Sequence, residues 1–412
     1  MKAGWDVKPL GDLLSVLKNG INCKQDKSGN GVKISRIESI SDATFNSERV
    51  GYSDLSEAEK QRYCLKKGDI LFSHINSPIH VGKTAIFDCD EPIYHGVNLL
   101  LMRPTEKLLP EYLNFALKYL FQTGYWARTS KQSVNQASVN QKDISCVDIS
   151  YPTSKEEQHR IVAILDEAFE VIATARANAE QNRQNARALF ESYLQSVFSQ
   201  RGDGWVERTV GELVDAGVLF KPFDGNHGEI HPRKTDYVLS GVPFIMACDL
   251  QNGGVDTEGC KFIPRNLADS LRVGFAKDGD VLVSHKGTIG RSAVVNTELD
   301  YIMLTPQVTS YRIKDATKLS NRFVRYYFMS PVFQNEIIAG AADGATRAYI
   351  GITKQLSLHF RFPSLQEQMQ VVERLDALDP ETQRLEALYQ RKIAALDELK
   401  QSLLQQAFSG QL

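Results

Sequence analysis

The sequence predicts an α+β protein of two tandem domains, each followed by a long helix, with the two helices pairing as an antiparallel coiled coil. Three observations carry that expectation: a set of short motifs that occurs twice in the same order, strand patterns closed by glycine turns, and two apolar seams at heptad spacing. At 412 residues the chain has length for two or three domains, each able to bury its own core.

The repeat comes first. Trp5-x-x-Lys8-x-Leu10-Gly11-Asp12-Leu13 returns as Trp205-x-x-Arg208-x-Val210-Gly211-Glu212-Leu213. Residues 68–74, Gly-Asp-Ile-Leu-Phe-Ser-His, return at 279–285 as Gly-Asp-Val-Leu-Val-Ser-His. Gly82-Lys83-x-Ala85 returns as Gly290-Arg291-x-Ala293. Pro152 followed by Glu157-Gln158-x-x-Ile161-Val162-x-x-Leu165-Asp166 returns as Pro363 followed by Glu367-Gln368-x-x-Val371-Val372-x-x-Leu375-Asp376. Four ordered matches mark a tandem duplication. It divides the chain into a mixed domain over 1–155, a helix over 156–200, a second mixed domain over 201–362 and a second helix over 363–412.

Within the mixed segments, Asp69–Ser73 and Asp280–Ser284 read as buried strands after a glycine turn. Pro110–Leu120 and Ser320–Met329 are the best helices there. The long helical segments are sharper. Ile161, Leu165, Ala168, Ile172, Ala175, Ala179, Asn182, Ala186, Leu189 and Tyr193 alternate spacings of four and three. Val371, Leu375, Leu378, Thr382, Leu385, Tyr389, Lys392, Leu396, Leu399 and Leu403 repeat that seam in the same phase. Each seam outruns a globular helix of about 11–12 residues. The plain alternative is two amphipathic helices, each packed on its own domain. Pairing places the polar residues Asn182 and Lys392 together, where they would fix the register. Pro380 either kinks the second helix or restarts it, with Asp379 as N-cap.

Bulk properties exclude several classes. No run of about 18 apolar residues offers a membrane span, and the first residues lack the apolar core of a signal peptide. The six cysteines are scattered, with no C-x-x-C pair, so neither a zinc site nor a disulfide framework is indicated and a reducing cytoplasm is expected. The net charge of −2 lacks the basic excess of a free-standing nucleic-acid binder. Either basic residues gather on one face, or a partner supplies phosphate contacts.

Enzyme motifs fail on inspection. Residues 77–84 imitate a P-loop, but Ser77 stands where the phosphate-cradling glycine is required. In 227–231 the glutamate is displaced from the metalloprotease position and Pro232 follows directly, which excludes the helix. His74 and His285 recur without a recurring nucleophile or carboxylate; they fit a strand-end hydrogen bond or a nucleic-acid contact equally well. The chain has no Asp/Asn-Pro-Pro-aromatic tetrapeptide of adenine methyltransferases and no glycine-rich cofactor loop after a strand.

The ordered motifs resemble the specificity subunits of type I restriction–modification systems over essentially the whole chain. The opening Trp-x-x-x-x-Leu/Val-Gly-Asp/Glu-Leu looks like the start of that family's target-recognition domains. The helix endings Ser192-x-Leu194-Gln195-x-x-Phe198-Ser199 and Ser402-x-Leu404-Gln405-x-x-Phe408-Ser409 are similar to its closing signature, and Asp224–Pro232 is similar to a recurring variant of its second domains. The resemblance implies a non-catalytic subunit. It would read a bipartite, asymmetric target in double-stranded DNA for a DNA adenine methyltransferase and type I restriction endonuclease. Implied partners are two methyltransferase subunits and, optionally, two restriction/translocase subunits. It implies no cofactor in this chain, with S-adenosylmethionine in the methyltransferase and ATP and Mg in the restriction subunit. A helix of about 40 residues spans roughly 60 Å, enough to separate two readers by about a turn of DNA, roughly 34–36 Å.

Candidate DNA-reading residues are polar, forked or planar and fall near the repeat landmarks. In the first domain they are Ser73, His74, Asn76, His80 and Lys83, with Gln132, Asn135, Gln136 and Asn140. In the second they are His227, Lys286, Thr288, Arg291, Arg347 and Tyr349. Lys83 and Arg291 occupy equivalent positions, which suits a phosphate contact better than base reading.

Overall fold

The computed structural model describes residues 4–27, 29–199, 204–226, 230–341 and 349–412. They form two units. Unit 1 holds the chain up to Glu180 together with Arg391–Leu412, and unit 2 holds Gln181–Gln390. Four helices carry most of the packing: α1 (Pro110–Gln122), α2 (Lys155–Ser199), α3 (Asn321–Met329) and α4 (Leu365–Ser409).

Unit 1 opens on Trp5–Pro9, which pairs antiparallel with Asp148–Pro152, so both ends of the domain leave side by side. Its central sheet runs Leu14–Asn19, Leu100–Pro104, Ile70–Phe72, Thr84–Ile86, all antiparallel. Helix α1 starts with Pro110 in its first turn, where no amide donor is missed, and buries Tyr112, Leu113 and Leu117 in the core. Unit 2 repeats the plan. Val206–Thr209 pairs with His359–Phe362, and a sheet of order Phe223–Asp224, Val308–Tyr311, Val281–Ser284, Ser292–Val294 lies beside α3. A second four-stranded sheet there contains one parallel pair, Val242–Ile245 with Ile302–Leu304.

The recurring motifs prove to be framework. In the Gly-Asp pair, buried Asp69 accepts the Lys66 amide at 2.8 Å and a fork from Arg103 at 2.6 and 2.8 Å. Asp280 does the same with the Lys277 amide at 2.9 Å and with Arg312, both contacts at 2.7 Å. Two-point pairing satisfies a carboxylate that would otherwise be costly to bury. Gly82 and Gly290 sit at φ +91° and +92°; a Cβ would meet the Trp126 ring at 2.2 Å and the Gln334 amide at 2.0 Å. Gly82 therefore closes the P-loop look-alike against a core tryptophan.

The glutamine of each Glu-Gln motif joins helix to domain. Gln158 accepts the Leu109 amide at 2.8 Å and donates to the carbonyls of Lys107 (2.9 Å) and Pro152 (2.8 Å). Gln368 accepts the Ser320 amide at 3.0 Å and donates to Lys318 and Pro363, both at 2.9 Å. Both side chains are wholly buried.

Within unit 1, the first half of α2 meets the end of α4. Ile161, Val162 and Leu165 share a core with Leu404 and Ala407, and Arg176 pairs with Asp397 at 3.1 Å. Numbers rise on one helix as they fall on the other, so the pairing is antiparallel. Within unit 2, Phe190, Leu194 and Phe198 of α2 share a core with Val372 and Leu375 of α4.

The seam departs from the strict heptad in its second half. Asn182 is exposed and Leu189 is 72% exposed, while Phe190 and Leu194 are buried. On α4, Lys392 is exposed, and Ile393 and Leu404 take the buried places. An α-helix drifts about 20° per heptad against a 3.5-residue repeat, so the buried stripe passes to the next residue after a few turns. Asn182 and Lys392 therefore stand outside the buried stripe. Helix α4 also runs unbroken through Pro380. Asp379 is no N-cap: it accepts Arg325 and Gln383, each at 2.8 Å.

Replacing Gln158 by Ala would leave one buried amide and two carbonyls unpaired at the junction. At roughly 1–3 kcal/mol for each buried orphan, partly relieved by water, a loss of about 3 kcal/mol is expected in urea unfolding. A loss under about 1 kcal/mol would show that the carboxamide does not hold the helix to its domain.

Candidate nucleic-acid interface

In unit 1 a small sheet stands on the rim of the domain, ordered Ile75–Asn76, Gln136–Ser138, Lys131–Ser133. Its hairpin turns at Asn135, whose φ of +64° is a conformation asparagine tolerates. Ala137 anchors the hairpin in the core, while Gln132, Asn135 and Gln136 are exposed and Val134 is 93% exposed. The Gln132 amide donates to the Ala127 carbonyl at 3.0 Å, which holds it against the short helix Tyr125–Thr129. Asn140 caps a short helix by accepting the Asp143 amide at 2.8 Å.

Several candidates build the platform under this hairpin and do not lie on its face. Ser73 and His74 are buried. The Ser73 hydroxyl accepts the Asn76 amide at 3.1 Å, the Asn76 oxygen accepts the Ser77 amide at 2.8 Å, and the His74 carbonyl accepts the Val139 amide at 2.9 Å. Burial holds the His74 imidazole below its usual pKa. Lys83 donates to the Ser41 carbonyl at 2.8 Å. His80 is half-buried at a cavity of about 170 Å³ shared with Ser73, Asn76 and Lys83.

Unit 2 repeats the platform with different tips. The Ile350 amide donates to the His285 carbonyl at 3.1 Å, matching the Val139 bond in unit 1. His285 is wholly buried, its Nδ1 at 2.7 Å from the Thr309 hydroxyl, which accepts the Gln355 amide at 3.0 Å. Arg291 reaches the Ala247 carbonyl at 3.4 Å, as Lys83 reaches Ser41, though its side chain stays exposed. Lys286 and Thr288 are exposed; Lys286 bridges to Tyr349 and holds its ammonium 5.8 Å from that ring's centre. His227 and Arg347 lie outside the described residues.

With this geometry in view, the comparisons are informative. A family model described as the type I restriction modification DNA specificity domain matches residues 2–181. The type I restriction enzyme MjaX specificity subunit of Methanocaldococcus jannaschii is 30% identical over 387 residues, which cover 91% of this chain and 87% of that one. This chain belongs to the type I specificity subunits. The EcoKI specificity subunit of Escherichia coli is 26% identical over 191 residues, 46% of this chain and 40% of that one. A solved structure titled for complex assembly and conformational transition of the type I R-M system has a TM-score of 0.73 at 18% identity, covering 100% of this chain and 99% of its own. The HsdS subunit from Thermoanaerobacter tengcongensis has a TM-score of 0.56 at 19% identity, covering 100% and 98%. At those identities the structures speak for the fold. As a specificity subunit, the chain supplies sequence-specific DNA recognition within a type I complex and is its recognition member, not its catalytic one. No helix among the described residues is long and apolar enough to cross a membrane.

One polar core residue escaped the sequence reading. His95 is wholly buried, with Nε2 3.3 Å from the Lys18 carbonyl, and burial pushes its pKa down to about 4. The folded state therefore binds fewer protons than the unfolded chain between the ordinary value of 6.5 and about 4. Its stability contribution is complete above that window and falls with pH, by about 3 kcal/mol at the lower end. Urea unfolding across that range should show the fall, and His95→Gln should flatten it. An unchanged pH slope in the variant would rule the histidine out as its source.

Proposed function

We propose that each unit reads one half of a bipartite, asymmetric DNA target, and that the paired helices set the unread spacer. We further propose that the helices dock two methyltransferase subunits, with two restriction/translocase subunits joining in a complete complex. S-adenosylmethionine then belongs to the methyltransferase, and ATP with Mg to the restriction subunit. The chain works in the cytoplasm, as its six free thiols suit.

One observation carries this reading: a single interior is used twice under different tips. Asp69 and Asp280, and Gln158 and Gln368, make the same contacts in both units, and Gly82 and Gly290 share the same left-handed turn. The cross-strand pair on the rim differs: Ile75 faces Ser138 in unit 1, and Lys286 faces Tyr349 in unit 2. An apolar Ile75 suits a thymine methyl, whereas Lys286 suits the O6 and N7 acceptors of guanine. Gln132, Asn135 and Gln136 add forked amides that suit adenine. Two such rims read two different half-sites.

Methylome sequencing of the complex tests it. Exchanging residues 1–155 for the domain of a relative should change one half-site only; a change in both would end the two-reader model. Alanine at Gln132 and Gln136 should relax the first half-site by about 1–3 kcal/mol for each base pair they read and leave the second intact. Inserting a heptad into each long helix, after Ala179 and after Gln390, adds roughly 10 Å of rise, or about three base pairs. The specified bases should stay while the gap lengthens. Full activity on the original spacer would show that the helices do not measure it.

A further inference from the structure

Unit 1 gathers positive charge at one corner of its central sheet. Lys18 lies near the end of the strand Leu14–Asn19, and Arg62 in the last turn of the short helix Glu57–Tyr63. Both cations lie over the Tyr63 ring, each 5.4 Å from its centre. Half-buried Lys18 uses one of its three donors on the Arg62 carbonyl, at 2.7 Å, which ties strand to helix. The Arg62 guanidinium is exposed and makes no hydrogen bond or ion pair among the described residues. The carboxylate that acts on Lys18 is Asp69, which Arg103 already forks. Burial, then the like charges of Arg103 and Arg62, hold the Lys18 ammonium below its usual pKa.

The other copy closes the same corner differently. Lys18 pairs with Leu101 in its sheet as Phe223 pairs with Ser310, and Leu71 and Leu282 flank those partners. Cys64 bridges Tyr94 as Phe275 pairs with Met303, which puts Val273 where Arg62 stands. The framework arginine is present in both units. In unit 2 Arg312 lies 5.3 Å from the centre of the Phe223 ring, whose face attracts a guanidinium. In unit 1 its counterpart Arg103 faces two further cations. Folding does not require them, since Phe223 and Val273 serve in their places, and their mutual repulsion is relieved when an anion binds.

The position of the cluster selects the anion. Asn19 and Phe72 face Leu100 from its two sides, so the strand carrying Lys18 ends level with the one that leads to Ile75 and the rim. The Gln141 amide donates to the Asn19 side chain at 3.3 Å, and Gln141 opens the short helix just after the hairpin strand Gln136–Ser138. A β-ribbon in a major groove about 12 Å wide is bordered by phosphates on both sides. We propose that Lys18 and Arg62 hold a backbone phosphate of DNA beside the half-site that unit 1 reads. The contact fixes the register of the domain on the duplex and carries no base information. It rests on the rim of unit 1 being a DNA reader. A chain of net charge −2 can hold a phosphate where basic residues are gathered on one face, as they are here.

The test uses the full chain with its methyltransferase subunits, on duplexes carrying the motif found by methylome sequencing. Binding is measured from about 50 to 200 mM salt. Lys18→Gln and Arg62→Gln should each weaken binding about tenfold and flatten the slope of log affinity against log salt by about 0.9. The methylated motif should stay the same in both. Arg62→Lys, which keeps the charge, should restore most of the slope. Uncharged methylphosphonate then replaces each phosphate of the target in turn. One or two positions should weaken the native complex and leave the double variant, Lys18→Gln with Arg62→Gln, unaffected. An unchanged salt slope in the double variant overturns the proposal, and so does a scan in which no position loses its effect in that variant. Weaker assembly with the methyltransferase subunits in the absence of DNA, at an unchanged slope, would give the cluster to a protein carboxylate and overturn it too. If exchange of residues 1–155 changed no single half-site while the phosphate couplings stood, the reader assignment of unit 1 would fall and the phosphate site would remain.

Discussion

Gln158 and Gln368 sit where a strand-built domain meets a long helix, and each carboxamide closes three backbone hydrogen bonds there. The amide and carbonyls they satisfy lie at a strand end and on the approach to a helix. A buried backbone group without a partner is costly, so the helix can leave its domain only along the line those bonds define. Everything that depends on helix direction within a unit follows from that junction. In unit 1 it lets α2 and α4 share Ile161, Leu165 and Leu404; in unit 2 it lets Val372 and Leu375 meet Phe198.

Around this common anchor the two junctions use different physics. In unit 1, Phe115 meets Phe169 edge-on at 5.5 Å, and Lys400 lies over the Phe169 ring at 4.8 Å. In unit 2, the buried pair Arg325–Asp379 at 2.8 Å stands at the corresponding turn, beside Arg322–Asp376 at 2.6 Å. Asp166 corresponds to Asp376, but its neighbour is Glu111, and burial followed by that like charge raises its pKa. A buried pair broken on one side is strongly destabilising, by about 3–5 kcal/mol. Each domain therefore packs on its helix through contacts of its own kind.

Much of the framework was legible because it is periodic or repeated. The duplication, both long helices, α1 and α3 and the two Gly-Asp strands all lie where the sequence places them. What failed was the finer geometry. Asn182 and Lys392 follow a strict seven-residue count, whereas the buried stripe has drifted past them. Asp379 reads as an N-cap before Pro380, yet its real partner is Arg325, 54 residues away, which no local pattern signals. His95 is a polar residue in apolar surroundings assembled from distant segments, and no spacing announces it.

The same logic explains why Ser73 and His74 are buried. Recurrence drew attention to Ser73, His74 and Lys83, because their counterparts Ser284, His285 and Arg291 are so similar. A residue that recurs in both copies does the same task in both, and two readers of different half-sites cannot share their reading residues. Recurrence therefore marks framework: His74 and His285 both lend a carbonyl to the next strand, and Lys83 and Arg291 both reach a carbonyl of a neighbouring turn. The proposed discrimination uses positions where the copies disagree, and on this rim those are Ile75 with Ser138 against Lys286 with Tyr349. A net charge of −2 adds a second constraint. With no overall basic excess, phosphate contacts require either basic residues gathered on one face or a partner that supplies them.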